Sequence, residues 1–137
     1  MLNDIQKHIL QMVADMKGDE KGALNIRLDG KKEQRQNTKN IEIVSKTDKD
    51  GIDIRIAPGT KKESVHIPVI LTKEGFHDTV YNDFYIGEGA DVTIVAGCGI
   101  HNCGDSDSAH DGIHTFRVGK NAKVRYIERH YGEGEGR

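Results

Sequence analysis

Tryptophan is absent from this chain, and aromatic residues of every kind make up only 5% of it. A core built here must be filled by small and branched side chains. With 35% hydrophobic residues in 137, that core is lean and belongs to a single domain. No apolar run approaches the ~20 residues of a membrane-spanning helix. The N-terminus lacks the basic and apolar regions of a secretory signal. Net charge is also missing: 20 Lys and Arg oppose 22 Asp and Glu, leaving −2. Such a balance predicts neither a nucleic-acid nor a membrane partner. The expected location is the cytoplasm, where the two cysteines stay reduced, free for metal or buried.

Leu2, Ile5, Ile9, Met12, Val13 and Met16 recur at helical spacing, so an amphipathic helix is expected over 1–18. Asn3 and Gln6 suit a capping pair, and Gly18 a stop. Residues 19–40 are polar, with a short strand over 23–28; the basic cluster Lys31 to Asn37 reads as a solvated loop. Beyond residue 40 the period becomes two: Ile41 and Ile43; Ile52, Ile54 and Ile56; Val65, Ile67 and Val69; Val92 and Ile94; Val124 and Tyr126. Strands are expected at 41–44, 52–57, 64–70, 92–96, 114–118 and 123–128, stacked mainly in parallel. No second helical pattern separates them, which argues against a doubly wound sheet.

An internal repeat sharpens the reading. Ile86-Gly-Glu-Gly-Ala-Asp-Val-Thr-Ile-Val95 matches Val118-Gly-Lys-Asn-Ala-Lys-Val-Arg-Tyr-Ile127 in its apolar, Gly, Ala and Val positions, at an offset of 32 residues. Pro58-Gly59 leading into Val65 is a weaker echo. Repeated strand–turn–strand units with small inward residues point to a stacked β-solenoid. Two coincidentally similar hairpins of a β-sandwich are the alternative.

Chemistry concentrates in 98–114. Cys98, His101, Cys103, His110 and His114 follow the spacing C-x2-H-x-C-x6-H-x3-H. Thiolate and imidazole suit zinc or iron, so these five are the candidate metal ligands. Two other readings stay open. Solenoid turns use Gly, Asn and His for backbone reasons, and a cysteine–histidine pair can serve catalysis. Asp105, Asp107 and Asp111 lack the pattern of a calcium loop. Gly-Lys at 30–31 and 119–120 belongs to no phosphate-binding loop. His130 reads as an exposed terminal histidine or one pointing to a next rung, and His8, His66 and His77 as structural.

The runs Ile94-Val-Ala-Gly-Cys-Gly-Ile-His-Asn102, Ser108-Ala-His-Asp-Gly-Ile-His-Thr-Phe116, Val118-Gly-Lys-Asn-Ala122 and Glu128-Arg-His-Tyr-Gly-Glu-Gly134 together resemble the SufB/SufD family, the scaffolds of SUF iron–sulfur cluster assembly. Ala23 to Gly30 and His66 to Ile70 share the resemblance. It implies an all-β fold, a right-handed parallel β-helix core over 19–137 behind an N-terminal helix. It also implies a non-catalytic role with a SufC-type ATPase and a SufB/SufD-type subunit. The cargo would be an iron–sulfur cluster or a single Fe or Zn ion. Family members continue through further rungs, so the chain is expected to be a fragment whose ATPase contact lies beyond residue 137. An open last rung predicts a homo-oligomer. The rival functions are a metal-dependent enzyme using the 98–114 loop and a purely structural self-associating solenoid.

Overall fold

The computed structural model describes residues 2–14, 22–73, 75–101 and 109–133. The chain is mostly β. One helix, α1 (Asp4–Ala14), precedes nine strands: β1 (Ala23–Leu28), β2 (Lys31–Gln36), β3 (Ile41–Ser45), β4 (Gly51–Ile56), β5 (Lys61–Leu71), β6 (His77–Ile86), β7 (Asp91–His101), β8 (Ala109–Val118) and β9 (Lys123–Glu133). They form two mixed sheets, ordered β2-β1-β5-β7-β9 and β3-β4-β6-β8. From β4 onward, consecutive strands alternate between the sheets, and from β6 onward each pairs in parallel with the strand two before it; β5 pairs in parallel with β1. No helix among the described residues is long and apolar enough to cross a membrane.

The sequence repeat is the register of this pairing. Ile86 lies beside Val118, Val92 beside Val124, and Ile94 beside Tyr126, all 32 residues apart. The connecting turns repeat as well. Thr60 N–H donates to the Ala57 carbonyl, Ala90 N–H to Gly87, and Ala122 N–H to Gly119, at 3.2–3.3 Å. The third residue of each turn is left-handed: Gly59 (φ 74°), Gly89 (φ 71°) and Asn121 (φ 60°). This is the type II turn requirement, which glycine and asparagine meet most readily. Adjacent turns are tied by Asp91 N–H to Thr60 and Lys123 N–H to Ala90, both 2.7 Å. The Pro58-Gly59 echo is therefore the first turn of the stack.

Alternation along each strand sends one set of side chains between the sheets. Ile54, Val65, Phe84, Ala90 and Ile94 are fully buried there, with Ile41, Ile56, Val92 and Ala96 around them. The scarcity of aromatics agrees with this narrow interior.

Three expectations need correction. The Lys31–Asn37 cluster is not a loop, because Lys31–Gln36 forms β2, antiparallel to β1. Asp29 (φ 47°) and Gly30 (φ 84°) make the turn, and two consecutive left-handed residues at Asp-Gly are a strong local hairpin signal. The 41–44 and 52–57 strands pair antiparallel rather than parallel. Strand β6 was not anticipated, because its inward positions Asp78, Val80, Asn82, Phe84 and Ile86 include two polar residues that break the hydrophobic period.

At the N-terminus, Asn3 and Gln6 do cap α1: Gln6 N–H donates to Asn3 Oδ1 at 2.8 Å, and Asn3 N–H to Gln6 Oε1 at 2.9 Å. The helix buries Ile9 and Leu10 against Leu24, Ile26 and Ile70 on the outer face of the five-stranded sheet. Ile5 and Met12 remain exposed, so the buried stripe is narrower than their spacing suggests. Gly18 lies outside the described residues.

Candidate functional site

The interior changes character along the stack. In the four-stranded sheet, Ile52 of β4 is followed by Asn82 of β6 and His114 of β8. In the five-stranded sheet, Ile67 is followed by Ala96 and Glu128, and Val69 by Cys98 and His130. Each row starts on an apolar residue and ends on an ionisable one: His114, Glu128 or His130. Between the last strands lies a cavity of about 150 Å³, lined among others by Asn82, Cys98, His110, His114, Glu128 and His130.

A second buried row stands behind His110. Arg27 donates two hydrogen bonds to Asp78, Nε to Oδ2 and Nη2 to Oδ1, each 2.8 Å. The Asp78 side chain is 4% exposed. Burial opposes its ionisation, but the Arg27 hydrogen bond and charge, with His110, outweigh that and hold its carboxyl below the ordinary value. His110 Nδ1 lies 3.3 Å from Asp78 Oδ2. A neutral imidazole there donates through Nδ1 and keeps the Nε2 lone pair. Burial pushes the His110 pKa below its ordinary value, against the pull of Asp78.

His114 stands four residues on, so it shares the inward face. Its Nδ1 lies 3.4 Å from Asn82 Nδ2, and its Nε2 lies 3.9 Å from Glu128 Oε1. Burial lowers its pKa too, against the nearby Glu128 charge. Glu128 accepts from the Tyr126 hydroxyl at 2.7 Å, and its Oε2 lies 2.8 Å from His130 Nε2. These hydrogen bonds hold its carboxyl below the usual range, while burial and the bond to Glu128 raise the Tyr126 hydroxyl. Cys98 is a buried free thiol. Burial, then the Asp78 charge, pushes its pKa up to about 12, so it is a thiol and not a thiolate at neutral pH.

The five residues singled out by spacing divide as follows. Cys98, His110 and His114 line the same cavity. His101 ends β7 three residues beyond Cys98, hence on the other face of the strand, beside Glu133. Cys103 lies outside the described residues. Spacing alone missed Asp78, Asn82 and Glu128, and left His130 undecided. The 32-residue register was the available signal, since it sets His110 on Asp78, His114 on Asn82 and His130 on Cys98. Among the described residues no three His, Cys, Asp or Glu side chains stand grouped as a metal site. A comparison with family models, curated proteins and solved structures finds no match to the chain.

Proposed function

We propose that this chain is a non-catalytic scaffold component of SUF-type iron–sulfur cluster assembly, and that its two sheets are walls of a right-handed parallel β-helix. The alternation of strands between sheets supports the fold reading, since β6, β7, β8 and β9 each pair in parallel with the strand two before, as successive turns of a β-helix would. The observation that carries the functional reading is the interior gradient. A core of this kind is stable when filled with Ile, Val and Ala, as its first turns are. Placing thiol, imidazole and carboxylate in the last turns costs stability and needs a chemical reason.

Iron or a cluster is cargo in this reading. Among the described residues Cys98 is the one cysteine. Clusters are held mainly by several thiolates, so this part of the chain supplies at most a share of a cluster site. The partners are a SufC-type ATPase and a SufB/SufD-type subunit, and the chain contributes no ATP chemistry. Pairing through the edges of β8 and β9 suits either a second copy or such a subunit.

Co-expression with a SufB/SufD-type subunit and a SufC-type ATPase tests the reading. Co-purification of the subunit, with iron and acid-labile sulfide retained after anaerobic desalting, is the expected result. Recovery of the chain without either partner, and without retained iron or sulfide, overturns it.

A further inference from the structure

From the placement of two imidazoles around Gly112 we infer that the cavity binds a single divalent transition-metal ion through His110 Nε2, His114 Nε2 and the Glu128 carboxylate, with Asp78 as a positioning residue. A β-carbon added to Gly112 would lie 3.1 Å from His114 Nε2 and 3.4 Å from His110 Nε2. Both ring nitrogens therefore border one small space, which is open because residue 112 is glycine. Glu128 Oε1 stands 3.9 Å from His114 Nε2. Two ligands on one ion at roughly 2.0–2.2 Å bond lengths are separated by a little less than that. The two imidazoles border the space as they stand, whereas Glu128 must turn from its hydrogen bonds to Tyr126 and His130 to join them, so the three side chains gather into a site only when the ion binds. Two histidines and one carboxylate suit ferrous iron or zinc and leave open positions for a further ligand.

The outer partners point the same way. Asp78 accepts from His110 Nδ1, the carboxylate–histidine arrangement that orients a ligating imidazole. Asn82 is 5% exposed, and its Oδ1, buried in the same wall, has no hydrogen-bond partner. Turning that amide over lets Oδ1 accept from His114 Nδ1–H, which frees the His114 Nε2 lone pair for the ion. Glu128 brings a negative charge to the cavity wall, while the Asp78 charge behind His110 is balanced by Arg27. Only the choice of iron as the natural occupant rests on the scaffold reading; the site itself does not.

Calorimetric titration of the purified chain with cobalt(II) chloride and zinc chloride tests it. One ion per chain is expected, with d–d absorption of bound cobalt free of a strong thiolate charge-transfer band. Gly112→Ala fills the space without requiring a strained backbone, and should weaken binding at least about tenfold while leaving the urea midpoint near wild type. His114→Ala should do the same, whereas Cys98→Ser should bind within about threefold of wild type, since it replaces no ligand. Absence of binding, or equal binding by wild type, Gly112→Ala and His114→Ala, overturns the inference. Cobalt binding with this pattern in a chain that retains neither SUF partner nor sulfide would overturn the scaffold reading and leave the site standing.

Discussion

The rings of Phe84 and Phe116 lie parallel, with centroids 4.7 Å apart and planes within 6°, one 32-residue step from each other. Phe84 is fully buried between the sheets, whereas Phe116 is 37% exposed at the last turn, with Tyr126 edge-on to it at 5.3 Å. Identical substitutions should therefore have unequal costs. Phe84→Ala is expected to destabilise by about 3–5 kcal/mol through the cavity it leaves. Phe116→Ala should cost about 1–2 kcal/mol, because less apolar surface is lost to water. Urea unfolding of both variants checks the ordering, and equal costs would contradict the buried position of Phe84.

The stacked turns make a second prediction. Asn121 sits at φ 60°, where a β-carbon is strained, in the position Gly89 occupies one turn earlier. Asn121→Gly should leave stability unchanged or raise it slightly, whereas Asn121→Ala should lower it by about 1 kcal/mol. Thermal unfolding distinguishes the two. A destabilised Asn121→Gly would mean the asparagine side chain contributes a contact beyond the turn.

Arg27 and Asp78 form a buried, doubly hydrogen-bonded pair. Asp78→Ala should destabilise by about 3–5 kcal/mol, because it strands a buried guanidinium. The double variant Arg27→Met with Asp78→Leu should recover much of that loss. The pH dependence has a definite sign. The Asp78 pKa is depressed in the fold from 3.8, so its contribution is present above 3.8 and is lost as pH falls through the lower folded value. Urea midpoints measured at pH 7, 5 and 3 should show this pair's share unchanged between pH 7 and 5 and beginning to fall only in the last step. Its disappearance between pH 7 and 5 would rule out the pair as the cause.

Cys98 should resist alkylation. With its thiol pushed from 9.0 to about 12, its thiolate fraction at pH 8 is lower on the order of a thousandfold. Mass spectrometry of the Cys98 peptide after iodoacetamide should show labelling in urea and almost none in the folded chain. Rapid labelling of the folded chain would place the thiol in solvent.

Much of the fold was readable from local pattern. Ile52, Ile54 and Ile56 alternate because one face of β4 is buried, and the Gly and Asn at turn positions mark where the backbone becomes left-handed. The strand at 77–86 escaped because Asp78 and Asn82 occupy inward positions, where a hydrophobic rule expects apolar side chains. The same two residues underlie the candidate site, so the pattern failed where the interior departs from packing alone.

Local pattern specified the β-rich class, the capped N-terminal helix and the 32-residue step, because strand alternation, turn chemistry and capping are short-range properties. It also singled out Cys98, His110 and His114 as chemically notable. The tertiary structure alone decided that His101 leaves that group while Asp78, Asn82 and Glu128 join it. Parallel pairing of strands 32 residues apart brings those residues together, and a side chain's face depends on the register of its strand. The partners of a buried imidazole are set by residues 32 positions away, which no local spacing contains.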